Sequence, residues 1–214
     1  HVLIGQFTLP YGRFPGGSLQ RVAVLDRLLD AIGKQPGVAA AGTITNVPLS
    51  GDNGKTAITP KGYVPQPGES LQGHYFYGIS GDYFPALGIP LREGRFLTSA
   101  DSHRPERVCV VDEVFARRYW PKADSPGQRV FQGSDSGDTL LFTVVGVVGA
   151  VKQAELAEPA GQGAVYVPYH YQDTNVFVVT RTSQRPQAFA ESLRQLVREA
   201  DPELAIDDVR SMET

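Results

Sequence analysis

The chain has a single cysteine, Cys109, in 214 residues. No disulfide can form within it, and cysteine usage does not place its compartment. Cys109 sits in the apolar run Val108–Val111, where a small buried hydrophobe is expected rather than a reactive thiol. Basic charge is not in excess either. The 20 Lys and Arg against 23 Asp and Glu give a net charge of -3, which leaves no field to hold nucleic acid or an anionic lipid surface. Long hydrophobic runs are missing. The longest, Phe142–Val151, is interrupted by glycine and falls far short of the ~20 apolar residues of a spanning helix. No charged-then-apolar leader opens the chain. It begins at His1 rather than Met, the start expected of a piece of something longer or of a processed mature chain.

Hydrophobic and charged fractions of 41% and 20% are those of a globular protein able to bury a core without staples. The length fits one large domain or two small ones. Val2–Leu9 reads as a strand closed by Pro10. After a glycine- and proline-rich loop, Ser18 is a candidate N-cap for a helix. Val22, Leu25, Leu28, Leu29 and Ile32 share one face of it, and Pro36-Gly37 stops it. Val38–Val47 reads as a strand. The other end of the chain repeats this grammar. There, strand Asn175–Thr182 leads to Pro186 in the first turn of a helix. Phe189, Leu193, Leu196, Val197 and Ala200 form its apolar stripe, Asp201-Pro202 ends it, and Leu204–Val209 reads as a strand. Each helix has one apolar stripe and must cover one sheet face. The expected fold class is α+β, a lobe of split βαβ, ferredoxin-like units plus a smaller inserted α/β lobe. The expected division is 1–83 with 162–214 for the first lobe and 84–161 for the insert. The N- and C-terminal units are expected to share one sheet, with the insert forming a separate body.

Within the middle, strands are expected at Thr56–Tyr63, Gly73–Ile79, Arg107–Val111, Gln128–Gln132, Leu140–Val151 and Ala164–Pro168. Short helices are expected at Asp82–Leu87 and from an Asp112 cap through Tyr119. Leu91–Leu97 looks extended.

Motifs that promise chemistry fall short. Gly54-Lys55-Thr56 lacks the first glycine of a phosphate loop, since position 49 is Leu. It also runs into the strand-like Ala57-Ile58-Thr59-Pro60 instead of opening a helix. Gly146-Val147-Val148-Gly149 and Gly161-Gln162-Gly163 lack the full dinucleotide pattern and open no helix, and glycine inside the strand Thr143–Val151 reads as a bulge or close backbone approach. Gly133-Ser134-Asp135-Ser136-Gly137 is neither a nucleophile elbow nor a calcium loop, and reads as a hairpin tip. His1, His74, His103 and His170 make no metal-ligand spacing with each other or with Cys109. His103 is expected exposed in a charged loop. His74 and His170 are expected half-buried at strand edges. A Ser–His–Asp site assembled from distant positions has no support above background. Asp112-Glu113 and Arg117-Arg118 match the dipole of a short helix. Tyr75, Phe76, Tyr77, Tyr83 and Phe84 form an aromatic cluster, with Tyr166, Tyr169 and Tyr171 expected near it. Hinge packing is its ordinary reading, and a small-molecule pocket at the lobe junction the alternative. No catalytic, cofactor-binding or metal residue is assigned. Substrate-binding residues are left unknown, and no cofactor is expected.

Four blocks carry a family resemblance. They are Gly81-Asp82-Tyr83-Phe84-Pro85-Ala86-Leu87-Gly88-Ile89-Pro90-Leu91-Arg92-Glu93-Gly94-Arg95-Phe96, then Val108–Pro121, Pro126–Val130 and Phe142–Val151. Together they resemble the MacB-like periplasmic core domain of ABC-transporter permeases, in the FtsX-like permease superfamily. Phe84, Leu87-Gly88 and Gly94-Arg95 match the turn into the inserted lobe. Val111, Glu113, Ala116, Tyr119 and Pro121 match its helix, and Gly127 and Arg129 the following strand. Asp201-Pro202, Val209 and Met212 match the exit from the domain. These residues are scaffold and transfer no binding site.

The resemblance implies an extracytoplasmic, periplasmic domain between the first and second transmembrane helices of an integral membrane protein, built as a porter-like lobe (1–83 with 162–214) plus a smaller inserted lobe (84–161). It implies no enzyme activity here. Its expected task is coupling transmembrane-helix motion to substrate or partner handling outside the membrane, in efflux or in lipoprotein or peptide export. Implied partners are the permease's own transmembrane helices, a cytoplasmic ATP-binding subunit or domain, and a periplasmic adaptor or second permease copy, with no nucleic acid. The alternative is a stand-alone extracytoplasmic ligand-binding or hydrolytic protein using the lobe junction.

Overall fold

The computed structural model describes residues 1–48, 54–64, 67–133, 140–153, 162–169 and 175–212. The strands are β1 (Val2–Thr8), β2 (Val38–Ile44), β3 (Lys55–Pro60), β4 (Gly73–Gly81), β5 (Leu91–Gly94), β6 (Val108–Asp112), β7 (Arg129–Gln132), β8 (Leu140–Val148), β9 (Ala164–Pro168), β10 (Asn175–Thr182) and β11 (Asp207–Ser211). The helices are α1 (Leu19–Gly33), α2 (Tyr83–Leu87), α3 (Ser99–Ser102), α4 (Glu113–Tyr119) and α5 (Pro186–Ala200).

The two terminal units interleave in the order β11-β1-β10-β2. β10 is antiparallel to both β1 and β2, and β1 is antiparallel to β11. Each β–α–β unit therefore brackets a strand of the other, which is the split βαβ arrangement. α1 and α5 cover one face. Leu25, Leu28 and Ile32 meet Phe189, Leu193 and Val197 over Leu3, Phe7, Val176 and Val178. Fully burying a side chain of this size contributes roughly 1.5–3 kcal/mol, so these stripes fix both helices. Ser18 occupies the N-cap position of α1 but makes no side-chain cap bond.

The expected separate inserted body is corrected by the sheet. Hydrogen bonding continues through β4 into β3, β7, β8 and β6, and β9 pairs both β4 and β6. The physical reason is the length of β4. Its last three residues pair β2 (Gly42↔Gly81, Thr43↔Ser80, Ile44↔Ile79), while its first seven pair β3 or β9, so that Ile79 has β2 on one side and β9 on the other. One strand thus belongs to both halves. The half containing the middle segment has its own core of Phe76, Cys109, Val111, Phe115, Phe142, Val144 and Val165. A third cluster spans the junction. It joins Ile4, Ile44 and Val179 to Tyr77, Tyr83, Phe84, Val110 and Tyr166.

Close backbone approach explains several glycines. A Cβ on Gly42 would lie 2.3 Å from the Tyr83 nitrogen, and one on Gly146 would lie 2.1 Å from the Arg95 carbonyl oxygen. The last strand also departs from expectation. Leu204 and Ile206 are buried, but a turn held by Leu204 N–H to the Asp201 carbonyl (3.0 Å) delays the strand to Asp207.

Candidate functional site at the junction of the sheet halves

α2 delivers Tyr83 and Phe84 into the junction. Its C-cap, Gly88, is left-handed at φ 72°, and Arg181 of β10 donates to the Pro85 carbonyl (3.3 Å). Tyr77, Tyr83, Phe84, Phe96 and Tyr166 pack ring against ring at centroid distances of 5.0–6.2 Å. Tyr77, Tyr83, Phe84 and Tyr166 are buried, so the cluster is packing and presents no stacking platform to a ligand. Of its expected neighbours, Tyr166 joins it, accepting a hydrogen bond from Gln153 (3.0 Å). Tyr169 belongs instead to the core under α1 and α5. Tyr171 and His170 lie outside the described residues, as do Gly161 and Ser134–Asp138. The Tyr83 hydroxyl is buried without a partner, and burial, then Tyr77, pushes its ionisation far up.

Beside this cluster lies a cleft of about 450 Å³. Leu29 and Gly33 of α1 form one wall, Val38–Ala41 of β2 and Gly81-Asp82 the floor, and Leu97–Ser99 the other wall. β4 leaves β2 at Gly42, and the cleft occupies the space it vacates.

At one end of the cleft the chain brings together a serine, a histidine and an aspartate. Ser99 Oγ donates to Asp26 Oδ2 (2.9 Å), and His103 Nε2 lies 3.2 Å from the same oxygen. A nucleophilic triad needs the histidine between the other two, taking the serine proton. Here Ser99 gives its hydrogen bond to Asp26, so the trio is a tether and no activated nucleophile. Nearby, Arg95 grips the buried Asp101 through two nitrogens (2.7 and 2.8 Å), and Asp101 also accepts from the Thr98 N–H and hydroxyl. Burial would raise the Asp101 carboxyl, but the Arg95 and Thr98 hydrogen bonds outweigh it and hold it below its ordinary value. Neither group was assigned from sequence. The Thr98-x-x-Asp101 spacing is the local signal, a capping-box pattern.

The remaining candidates are structural. His74 is fully buried on a strand paired along both sides, not half-buried at an edge. Its Nδ1 meets the Gln162 carbonyl and its Nε2 lies 2.8 Å from the Tyr119 hydroxyl. A carbonyl only accepts, so Nδ1 carries the proton and Nε2 accepts from Tyr119. Burial, with Arg118 adding to it, pushes the imidazole down to about 4 against the lifting effect of the Gln162 and Gly163 backbone. Asp112 caps α4 by accepting from the Phe115 N–H (2.8 Å). Its burial raises the carboxyl to about 6 despite backbone donors at Phe115, Ala164 and Val114. Cys109 is buried and its thiol is pushed up by that burial. Lys55 opens a strand and not a helix, and reaches over the Tyr75 ring (5.1 Å). Glu113 and Arg117 pair across one helical turn (3.7 Å). Among the described residues, no cluster of three or more His, Cys, Asp or Glu could hold a metal, and no helix is long and apolar enough to cross a membrane.

These features define an α+β domain in which a split βαβ layer and a second half share one sheet, with scaffold residues at the junction. The family model for the MacB-like periplasmic core domain matches residues 2–196, and the chain belongs to that family. It is 32% identical over 93 residues to a probable export ATP-binding/permease protein MacB of Pseudomonas entomophila (strain L48), a match covering 43% of this chain and 13% of that protein. The periplasmic region of MacB from Actinobacillus actinomycetemcomitans shares the fold at a TM-score of 0.58 and 17% identity, over 96% of this chain and 88% of the other. So does the extracellular domain of the noncanonic ABC-type transporter YknZ from Gram-positive bacteria, at a TM-score of 0.57 and 14% identity, over 96% of this chain and all of that one.

Proposed function

We propose that this chain is the extracytoplasmic domain of an ABC-transporter permease, and that it relays motion of membrane helices to a substrate or partner outside the membrane without chemistry of its own. Family membership supports the setting. The observation that carries the relay is the adjacency of the first and last strands. Leu3 lies opposite Ser211, and the Met212 N–H donates to the Val2 carbonyl (3.0 Å). Two membrane helices joined here would act on neighbouring strands of one sheet. The β11-β1-β10-β2 layer would then pass that motion through β4 to the far half of the same sheet, which would serve as a lever or docking surface. Export of a small molecule, lipoprotein or peptide, powered by a cytoplasmic ATP-binding subunit or domain and shared with an adaptor or second permease copy, fits this role.

The test is a disulfide in the intact permease. Cross-strand hydrogen-bonded neighbours sit about 5.5 Å apart at Cα, a span a disulfide accepts. A Val2→Cys, Met212→Cys pair, once oxidised, should leave transport-coupled ATP hydrolysis unchanged, because the two strands move together. Loss of coupling on oxidation, regained on reduction, would overturn the relay. A complete reading frame without ~20 apolar residues on each side of this segment would remove the permease setting.

A further inference from the structure

β2 has a free edge. It runs from Val38 to Ile44, but β4 pairs it only at Gly42–Ile44. β4 ends at Gly81, which is left-handed at φ 62°. The Asp82 N–H makes a last bond to the Ala41 carbonyl (2.8 Å), and the chain then turns into α2. Among the described residues, no strand lies beside Val38–Ala40 on that side. On the other side, the register with β10 passes from Ala40↔Arg181 to Val38↔Thr182 and skips Ala39. Ala39 therefore has no partner residue on either neighbour. A strand edge of this kind presents unpaired backbone groups and is a template for one more strand.

The edge is the floor of the cleft of about 450 Å³, a size usual for binding clefts. Four strand residues, Val38–Ala41, span about 13 Å of it. Small side chains keep the edge within reach. Ala39 is exposed, and a Cβ on Gly33 would meet nothing within 4 Å. Leu29 on one wall and Leu97 on the other flank the floor, so there is room for a single strand and not for a second sheet. Charge narrows the occupant further. Among the described residues, Asp82 is the one charged side chain that lines the cleft. It is exposed and makes no side-chain cap bond to α2. The charges beside the Leu97–Ser99 wall are already matched, for Arg95 is paired with Asp101 and His103 lies against Asp26. The cleft thus offers strand backbone, apolar walls and one carboxylate.

We propose that the β2 edge at Val38–Ala41 takes up one extended segment of a partner polypeptide, added as a strand in the line that β4 leaves, with a lysine or arginine of that segment at Asp82. Backbone hydrogen bonds to β2 supply affinity in this mode, and alternate side chains supply selectivity. One set of side chains faces Leu29 and Gly33, and the other faces Leu97. The edge belongs to this domain whatever its setting in the membrane.

The experiment pans random heptapeptides displayed on phage against the chain and against its Asp82→Lys variant. The Asp82 side chain caps nothing, so the reversal leaves the fold in place. Lysine and arginine should be enriched on the parent, and aspartate and glutamate on the variant. The strongest peptide from the parent is then synthesised and its affinity followed by fluorescence anisotropy. Alternate amides of an added strand face β2. N-methylation should therefore cut affinity about tenfold at alternate positions, the loss of one hydrogen bond, and leave it unchanged between them. Asp82→Asn should weaken the peptide about two- to fivefold, as for an exposed ion pair. Ala39→Trp, which fills the cleft from an exposed position, should abolish binding. A library that enriches nothing, a preference indifferent to Asp82→Lys, or an N-methyl effect without alternation overturns the proposal. Self-association of the chain that Ala39→Trp abolishes also overturns it, since a second copy would then hold the cleft.

Discussion

Replacing Asp112 with Asn should expose an acid sensitivity that the protein conceals. His74 and Asp112 meet the same residue, one at its ring and the other at its backbone. His74 packs edge-on against Phe115 at 4.7 Å, and Asp112 accepts the Phe115 N–H. Their protonation affects stability with opposite signs. Burial holds the His74 imidazole down to about 4 when folded, against its ordinary 6.5. Its stabilising effect is therefore complete above 6.5 and is lost as pH falls through the folded value. Integrated from neutral pH to about pH 4.5, that loss is on the order of 2–3 kcal/mol. Asp112 titrates at about 6 when folded against 3.8. Its contribution is complete below 3.8 and is lost as pH rises through about 6. Over the same descent it returns roughly 2 kcal/mol. The two nearly cancel in the parent protein. Asn keeps the N-cap and removes the titration, leaving the histidine loss uncompensated. Urea midpoints at neutral pH and at about pH 4.5, converted with a common slope, should fall about 2 kcal/mol further in Asp112→Asn than in the parent. Exposed carboxylates act alike in both proteins and drop out of the difference. Equal pH dependence in the two proteins would refute the opposed pair.

Gly146→Ala forces a Cβ to within 2.1 Å of the Arg95 carbonyl oxygen, and overpacking against backbone should cost about 1–3 kcal/mol. Gly54→Ala meets nothing within 4 Å and should be neutral or slightly stabilising in the same urea unfolding assay. Tyr83→Phe removes a buried hydroxyl without a partner, so it should leave stability unchanged or raise it by up to ~1 kcal/mol; a clear loss would reveal a hidden bond. Asp101→Asn weakens the Arg95 grip, and its effect should be largest near neutral pH and fade as pH falls below 3.8, because the folded carboxyl is held below that ordinary value. A penalty that persists in strong acid would show that shape, not charge, matters there.

The terminal layer was legible because its signals are local. The stripes of α1 and α5 repeat at three and four residues, and Pro36-Gly37 and Asp201-Pro202 end them. Each stripe demands a sheet face, and two such units interleave. Asp112 announced α4, and it caps that helix. The junction was less legible. That β4 continues past Tyr77 to pair β2 at Ile79–Gly81 depends on register between distant strands, which no local pattern specifies. β3 pairing β7, and β9 lying between β4 and β6, are of the same kind. α3 is a four-residue turn inside a charged loop, too short for periodicity to show. Its partner Asp26 is 73 residues from Ser99. The aromatic cluster was visible as composition, but only packing decides that its rings face one another and not a ligand.

The adjacency of β1 and β11 has a mechanical side. Val2 and Met212 are opposed at the same end of an antiparallel ladder. A force drawing those two residues apart would load the hydrogen bonds one at a time, from Leu3↔Ser211 inward, as a zipper opens. A force drawing both in one direction would bear on the sheet as a whole, shared by the ladders of β1 with β10 and of β10 with β2. The domain is therefore weak to spreading at its base and strong to common displacement. Any machinery attached there must keep its two attachment points in step, or the outermost strand peels away first.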